Sequence, residues 1–211
     1  MNWDEDSETI DRRLGLRVGE IEETLLSRAR ALDPAGTHHS WGSLLHQGNQ
    51  TWVGLHPQSI LTPYGELARI CRELSPGPGE LLVDLGAGYG RLGLVLRSLY
   101  PGVNFHGIEF VPERVREGQR VFSELGLDPD WLEEGDLTSP DFRLPEAEYF
   151  FVYDFGKIPH QRELLRRFSV LADRRRFKLV GRGKGIRSLV SHEFPWVVES
   201  HRDENYSIYD C

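Results

Sequence analysis

The spacing of apolar residues separates the first quarter of the chain from the rest. In residues 18–32, apolar side chains recur at Ile21, Leu25, Ala29 and Leu32, which is the spacing of one helix face. An Asp-Pro-Ala-Gly segment ends this pattern, and a polar stretch rich in His and Trp follows it. We therefore predict that residues 1–60 form a helical extension.

Residues 61–211 instead alternate between short apolar runs and amphipathic segments. The predicted helices cover residues 64–74, 91–99, 112–125 and 161–171. The predicted strands cover residues 81–85, 104–110, 131–136, 149–155, 177–181, 196–200 and 206–209. Strands that alternate with helices predict an α/β domain with a mostly parallel sheet covered on both faces, and the last two strands predict an antiparallel pair.

Length, charge and cysteine usage restrict the class of protein. The 211 residues suit one domain with an extension. A formal net charge of −8 is not that of a protein that coats nucleic acid or an anionic membrane, so we expect neither partner. Two cysteines, Cys71 and Cys211, are too few for a disulfide framework, and we see no secretory signal or membrane-length apolar run. These features favour a cytoplasmic location.

The segment after the first predicted strand carries the most specific signal. Gly86, Gly88 and Gly90 alternate between strand 81–85 and helix 91–99. Without Cβ atoms the backbone can turn sharply and approach a ligand closely, and the free N–H groups of the next helix point toward that ligand. In a parallel α/β sheet, such a bend is where a nucleotide-like cofactor binds.

Two carboxylates discriminate between cofactors. Glu109 closes the second predicted strand, where it can accept hydrogen bonds from two ribose hydroxyls and would repel the 2′-phosphate of NADP. Residues 88–93 satisfy the dinucleotide pattern G-x-G-x-x-G, but a pattern that starts at Gly86, directly after the strand, places Arg91 at the third glycine position. Asp84, at the buried end of the first strand, needs a cationic or hydrogen-donating partner. It therefore favours S-adenosylmethionine, with its ammonium and sulfonium, over the pyrophosphate of NAD.

Residues 84–90 (Asp-Leu-Gly-Ala-Gly-Tyr-Gly) resemble the first motif of the class I S-adenosylmethionine-dependent methyltransferases, and the likeness in element order extends over residues 61–211. The resemblance implies a Rossmann-like methyltransferase sheet that binds S-adenosyl-L-methionine. It places Glu109 at the ribose and Asp136, in a Glu-Gly-Asp segment, near the adenine amino group. The residues implied at the methionine moiety are Asp84, Gly86, Ala87, Gly88 and Gly90.

A narrower resemblance links the chain to the non-SET histone lysine methyltransferases. It rests on residues 62–66 (Thr-Pro-Tyr-Gly-Glu), on the Glu-Gly-Asp segment and on residues 154–156 (Asp-Phe-Gly). It adds Thr62 and Glu66 to the predicted cofactor site and lysine to the candidate acceptors. Asp154 stands where that family has Asn, and the chain lacks a basic nucleosome-binding tail. A different substrate on a related cofactor site therefore remains open.

The predicted chemistry is an in-line displacement, which needs alignment and exclusion of water rather than a metal. We predict that Asp154 orients or deprotonates the acceptor and that Tyr64 and Phe155 wall the methyl channel. A structural role for Asp154 and a turn cap for Asp136 remain open as alternatives. The histidines of the polar stretch lack a cysteine partner and the H-x-x-x-H spacing, so we expect no metal site.

Three functions remain open from the sequence. The first is methyl transfer to a protein side chain, such as lysine, or to a small molecule; residues 153–156 lack the Asn/Asp-Pro-Pro-aromatic motif of the enzymes that methylate base amino groups. The second is a non-catalytic regulatory module that binds S-adenosylmethionine. The third is an NAD-dependent oxidoreductase, but the chain lacks a Tyr-x-x-x-Lys or comparable proton-transfer pair.

The basic stretch 162–184 is interpreted as a solvated face, with docking of an acidic partner or RNA as the alternative.

Overall fold

The computed structural model of the protein describes residues 1–49 and 51–211. Seven strands form one sheet: β1 (Leu81–Leu85), β2 (Asn104–Glu109), β3 (Leu132–Glu134), β4 (Tyr149–Tyr153), β5 (Lys178–Arg182), β6 (Val198–Arg202) and β7 (Tyr206–Asp210). The α-helices of the described residues are α1 (Ser7–Leu14), α2 (Val18–Leu32), α3 (Trp41–Leu45), α4 (Pro57–Ile60), α5 (Tyr64–Leu74), α6 (Arg91–Leu99), α7 (Pro112–Glu124), α8 (Ile158–Ala172) and α9 (Lys184–Glu193). None of these helices is long and apolar enough to cross a bilayer.

The strand order is β3-β2-β1-β4-β5-β7-β6, with β1 to β5 parallel and β7 antiparallel to both neighbours. The chain winds outward from β1 in one direction to β3 and in the other direction through β4. In an α/β sheet, ligands bind beyond the carboxyl ends of the strands where this reversal occurs. The topology therefore points to the ends of β1, β2 and β4 as the position of a site.

Apolar side chains on both faces explain why the central strands are buried. In β4, Phe150 and Val152 pack in a core with α8 and α9, whereas Phe151 packs in the opposite core with α5 and α6. In β1, Leu82 lies on the α5 side and Val83 on the α8 side. Burial on both faces is typical of parallel strands with crossover helices and accounts for their continuous apolar sequence.

The N-terminal extension packs against the sheet domain and shares its core. Trp3, Ile10 and Val18 belong to the same buried cluster as residues of α5 and α6. A buried ion pair between Asp11 of α1 and Arg91 of α6 joins the two regions. The domain boundary near residue 60 stays a prediction.

Besides the short helices α3 and α4, two longer helices, α1 and α9, were not predicted, and they differ in the signals that the sequence carries. Helix α1 has local signals at both ends: the Asp6 side chain accepts a hydrogen bond from the Thr9 N–H (3.0 Å), and Gly15 ends the helix at φ 80°. Helix α9 has no such signal. It begins after Gly183, and its first N–H groups are capped by the carboxylate of Asp154, which lies at the end of β4. The polar stretch predicted before residue 57 also contains the short helix α3.

Candidate functional site

The chain after β1 forms a sharp bend that opens onto a cleft. Gly86, Gly88 and Gly90 all have positive φ, at 92°, 57° and 74°. A Cβ atom on Gly90 would lie 2.6 Å from the Phe122 ring, so packing as well as backbone conformation requires glycine there. A Cβ on Gly86 would meet nothing within 4 Å, because that position faces open space. The bend therefore presents bare backbone to the cleft.

Glu109, at the end of β2, is held by the backbone on either side of the site. Its Oε2 accepts a hydrogen bond from the Gly88 N–H (2.9 Å), and its Oε1 accepts one from the Val111 N–H (2.9 Å). The residue is only 6% exposed, yet it lines the cleft. A carboxylate oxygen can accept two hydrogen bonds, so each oxygen keeps one acceptor position for a ligand.

Asp84 is buried at the end of β1, and the described residues leave its Oδ1 without a hydrogen-bond partner. Burial, reinforced by the neighbouring charge of Glu109, raises the pKa of Asp84 well above its usual value. The side chain lines a small cavity that shares Gly86, Leu61 and Tyr153 with the main cleft. A buried polar atom without a partner is costly, and a cationic or hydrogen-donating ligand would remove that cost.

The main cleft has a volume of about 770 Å³ and lies at the carboxyl ends of the central strands. Its sheet side includes Gly86, Gly88 and Glu109. Its other side includes Thr51, Trp52, Ile60 and Leu61, which belong to residues 51–61; we call these residues the covering segment. The cleft therefore lies between the glycine bend and a part of the chain that precedes the sheet domain.

Sequence comparisons give a partial relationship. No protein-family model matches the chain. Over 74 residues it is 32% identical to the ribosomal RNA small subunit methyltransferase G of Parabacteroides distasonis. That match covers 35% of this chain and 30% of the relative, so the chain spans less than a third of the curated protein it matches.

Solved structures cover more of the chain. TrmN from Thermus thermophilus superposes with a TM-score of 0.55 at 18% identity, over 72% of this chain and 49% of TrmN. An RNA methyltransferase from Salinibacter ruber, solved with S-adenosyl-L-homocysteine, gives 0.53 at 20% identity, over 71% of this chain and 91% of that protein. The chain has the class I methyltransferase fold. The fold class predicted from the sequence, with its antiparallel closing strands, is confirmed.

Within this methyltransferase fold, Asp136 follows β3 and lines the cleft. Its Oδ1 accepts hydrogen bonds from the N–H (2.8 Å) and the hydroxyl (2.6 Å) of Thr138. From the residues that the structure describes, its Oδ2 accepts one long hydrogen bond, from the Asn49 amide at 3.4 Å. Both sequence interpretations therefore describe one residue: one oxygen caps a turn, while the other remains available at the cleft.

Asp154 lies at the end of β4, where the structure gives its carboxylate a structural role. Its Oδ2 accepts a hydrogen bond from the Gly185 N–H and its Oδ1 accepts one from the Ile186 N–H, both at 2.8 Å. These are free N–H groups of the first turn of α9, which the carboxylate caps. Each oxygen accepts one hydrogen bond in this cap, and Asp154 also lines the cleft, so its predicted role in orienting or deprotonating the acceptor stays a prediction beside the structural one. Phe155 does line the cleft.

Tyr64 does not wall the methyl channel. It is fully buried, and its hydroxyl donates a hydrogen bond to Asp11 Oδ1 at 2.8 Å. Trp3 stacks on its ring at 5.5 Å, and the Arg91 guanidinium lies 4.9 Å from the ring centroid. Burial is the main reason that the pKa of Tyr64 lies well above its usual value. Tyr64 therefore joins the extension to the sheet domain, and this corrects its predicted placement.

Thr62 and Glu66, the other residues predicted from the segment before β1, occupy different surroundings. Thr62 lines the small cavity beside Asp84. Glu66 lines neither cavity; its carboxylate is buried and accepts hydrogen bonds from Arg182 and from the Asn205 amide. Arg182 in turn lies 4.1 Å above the ring of Tyr153. Glu66 is therefore held away from both cavities, in contrast to its predicted place in the cofactor site.

Arg114, which the sequence did not indicate, is the main cation of the cleft. It lies in the first turn of α7, is almost fully buried, and lines the cleft. Its guanidinium forms a two-point ion pair with Glu22 of α2 at 2.8 and 3.0 Å. Although burial alone would lower the pKa of Arg114, the carboxylates of Glu22 and Glu109 raise it above its usual value. No local motif marks this residue, because its partners are distant in sequence.

A second pocket of about 460 Å³ adjoins the cleft at the end of β4 and shares four residues with it. We call it the side pocket, and its lining residues are Trp52, Leu55, Ser59, Ile60, Tyr153 and Asp154. The Trp52 indole N–H donates a hydrogen bond to the Asp154 carbonyl (3.2 Å), and the Tyr153 hydroxyl donates one to the Ser59 carbonyl (3.1 Å). These two bonds hold the covering segment against β4.

Residues 1–49 and 51–211 contain no cluster of side chains suited to a metal ion.

Proposed function

We propose that the protein binds S-adenosyl-L-methionine in the main cleft and transfers its methyl group to an acceptor. The unpartnered Oδ1 of buried Asp84 carries this proposal. The Asp84 carboxylate lines the adjoining small cavity, and an ammonium group placed there would pair with this carboxylate and compensate its burial. The match with the proteins compared above, including one solved with S-adenosyl-L-homocysteine, supports the same cofactor.

The other residues of the cleft fit the remaining parts of this cofactor. Glu109 keeps two free acceptor positions, which suit the two ribose hydroxyls. The Oδ2 of Asp136, which holds one long hydrogen bond from Asn49, keeps an acceptor position that suits the adenine amino group. Gly86 leaves room for close approach of the methionine moiety. The cofactor supplies a methyl group on a sulfonium, and the protein's part is to align the acceptor and exclude water.

The same observations weigh against NAD. A pyrophosphate beside Asp84 would face an acidic side chain that lacks a partner, so binding would increase rather than remove the electrostatic cost. Arg91, which stands at the third glycine position of the dinucleotide pattern, is buried in an ion pair with Asp11. It is therefore not available to neutralise a diphosphate in the cleft.

We assign the side pocket as the entrance for the acceptor, because it meets the cleft at Trp52, Ile60 and Tyr153. The indole N–H and the phenol hydroxyl on its wall are already hydrogen-bonded to backbone carbonyls. What the wall offers an acceptor is therefore chiefly apolar and aromatic surface. Such a surface suits the methylene chain of a lysine or an apolar small molecule.

For the acceptor class, we propose a protein side chain or a small molecule, with RNA as a second candidate. Most cations in the basic stretch 162–184 form ion pairs with acidic residues, which leaves little unpaired positive charge there for a phosphate backbone. RNA is favoured instead by the names of the Parabacteroides and Salinibacter proteins. The expectation that a nucleic acid would not be a partner therefore lacks support from the comparisons.

Incubation of the protein with a cell lysate and methyl-labelled S-adenosylmethionine tests this proposal. Label that resists ribonuclease, and that is found in protein or in the small-molecule fraction, is the expected result. Label that ribonuclease releases would replace the acceptor class with RNA. Cofactor binding without labelling of any fraction would favour the non-catalytic regulatory module, and a variant with Glu109→Ala provides the background.

A further inference from the structure

We infer that Glu22, in the N-terminal extension, is a positioning residue that holds Arg114 between the ribose-binding carboxylate of Glu109 and the side pocket at Trp52. This inference rests on the proposed function. The pair of Glu22 and Arg114 would couple the cofactor site to the side pocket. Glu22 touches neither site itself; it acts through the arginine.

Glu22 is fixed from two sides. It lies on α2, is only 6% exposed, and accepts both hydrogen bonds of the two-point pair with Arg114. Its Oε1 also accepts a hydrogen bond from the Tyr89 hydroxyl at 2.7 Å. Tyr89 belongs to the glycine bend, between Gly88 and Gly90. The extension is therefore connected to the bend as well as to the arginine.

Arg114 uses its remaining donors on both sides of the cleft. Its Nη2 donates a hydrogen bond to the Trp52 carbonyl at 2.5 Å. Its Nη1 lies 3.8 Å from Glu109 Oε1, which is within ion-pair range but beyond a direct hydrogen bond. Because a guanidinium is planar and rigid, the pair with Glu22 fixes the direction of every other donor.

The charges explain why this position matters for the cofactor. If Glu22 lost its charge, Glu109 would be the nearest carboxylate to a buried guanidinium. Arg114 would then move toward Glu109 and occupy the acceptor positions that the ribose hydroxyls need. The same movement would withdraw the hydrogen bond from the Trp52 carbonyl. Glu22 thus keeps Glu109 free for the ribose and keeps Trp52 in place in the side-pocket wall.

Coupling of this kind is reciprocal. A ligand that takes hydrogen bonds from Glu109 strengthens the arrangement in which Arg114 stays with Glu22 and Trp52. Cofactor binding is therefore expected to order the start of the covering segment, which forms the side-pocket wall. The acceptor would then meet a complete pocket after the cofactor has bound.

The substitution Glu22→Gln tests the inference, with Glu23→Gln as the matched control because Glu23 is the exposed neighbour on the same helix. Calorimetric titration with S-adenosyl-L-homocysteine should show about tenfold weaker affinity for Glu22→Gln, which corresponds to about one hydrogen bond to a charged group. The control should match the unsubstituted protein. Equal affinities for all three proteins, each shown to be folded at the temperature used, would overturn the inference while leaving the cofactor site intact.

Hydrogen exchange of the unsubstituted protein gives a second test that does not depend on folding of a variant. Addition of S-adenosyl-L-homocysteine should protect the amides of residues 51–54 together with those of residues 86–90. Protection confined to residues 86–90 would contradict coupling to the covering segment. If the compound does not bind at all, the proposed function itself fails, which is a distinct outcome.

Discussion

The two sides of the cleft are built by different kinds of contact. On the sheet side, the glycine bend and Glu109 are fixed by backbone hydrogen bonds at the ends of adjacent strands, such as those from Gly88 and Val111. On the other side, the covering segment is held by bonds between residues far apart in sequence, such as Trp52 with Asp154 and Ser59 with Tyr153. The sheet side is thus a product of the fold, whereas the covering side depends on this chain's own extension.

This difference suggests that the two sides of the cleft bind different ligands. The sheet side offers a carboxylate, a bend and an unpartnered buried oxygen, all of which suit the cofactor. The covering side offers aromatic and apolar surface next to the cleft, which suits an acceptor. Substitutions on the sheet side should therefore reduce cofactor affinity, while substitutions on the covering side should reduce turnover and spare affinity.

The largest effect is expected for Glu109→Ala. It removes the acceptor of two proposed ribose hydrogen bonds, each worth about 1.5–3 kcal/mol to a charged group, so affinity should fall at least about a hundredfold. Calorimetric titration with S-adenosyl-L-homocysteine measures this loss. Glu134→Ala is the matched control, since Glu134 is paired with Glu109 in the sheet register but is exposed. Similar affinities in the two variants would remove Glu109 from the cofactor site.

Asp154→Ala should lower stability by about 1–2 kcal/mol, because it removes the cap of α9. Thermal unfolding checks this effect, and hydrogen exchange should show the first turn of α9 opening. Turnover is expected to fall as a consequence of the disturbed end of β4. An unchanged melting temperature with complete loss of turnover would contradict the structural role and support the predicted catalytic one.

Trp52→Ala should distinguish most clearly between the proposed functions of the two sides of the cleft. It removes aromatic surface from the side pocket and the hydrogen bond to the Asp154 carbonyl, so kcat/KM for the acceptor should fall about tenfold. Affinity for S-adenosyl-L-homocysteine should change far less, since the Trp52 carbonyl that Arg114 contacts is retained. A loss of cofactor affinity as large as that of Glu109→Ala would contradict the assignment of the covering side to the acceptor.

The smallest effect is expected for Tyr64→Phe. The hydroxyl donates to Asp11 inside the joint between the extension and the sheet domain, so its loss should cost about 1 kcal/mol of stability. Because Tyr64 lines neither cavity, cofactor affinity and turnover at temperatures well below unfolding should not change. A specific loss of turnover in a fully folded variant would place Tyr64 at the methyl channel after all.

How far the sequence predicts this protein depends on the distance between interacting residues. The bounds of α5, β1 and α6 coincide with the predicted ones, because apolar spacing and flanking glycines act within each segment. Asp154 shows the opposite case. The sequence left a structural role for Asp154 open, but it could not show that this carboxylate caps α9, and without that contact the helix itself was not predicted.

The site divides in the same way. Asp84, Glu109 and the glycines follow from a strand, a bend and a second strand that lie close in sequence. Arg114 and Glu22 do not, because their pairing joins helices separated by 92 positions. Tyr64 and Glu66 were placed at the site through a short motif, but their long-range partners, Asp11 and Arg182, hold their polar groups elsewhere.

Asp84 also has a consequence for the protein without cofactor. Its pKa is raised above the unfolded value of 3.8, so the folded state favours the protonated carboxyl. Its contribution to stability is therefore greatest at acidic pH and is lost as the pH rises through the folded pKa. We expect Asp84→Asn to be more stable than the unsubstituted protein at alkaline pH, with a difference that shrinks toward acidic pH in chemical unfolding experiments.

Calorimetric titration of S-adenosyl-L-methionine into the unsubstituted protein and into Asp84→Asn tests the central claim most directly. The account predicts that the unsubstituted protein binds the compound and that the more stable variant binds it at least about tenfold more weakly, because the ammonium loses its charged partner. Equal binding by both proteins, or binding of NAD in place of the sulfonium compound, would contradict it.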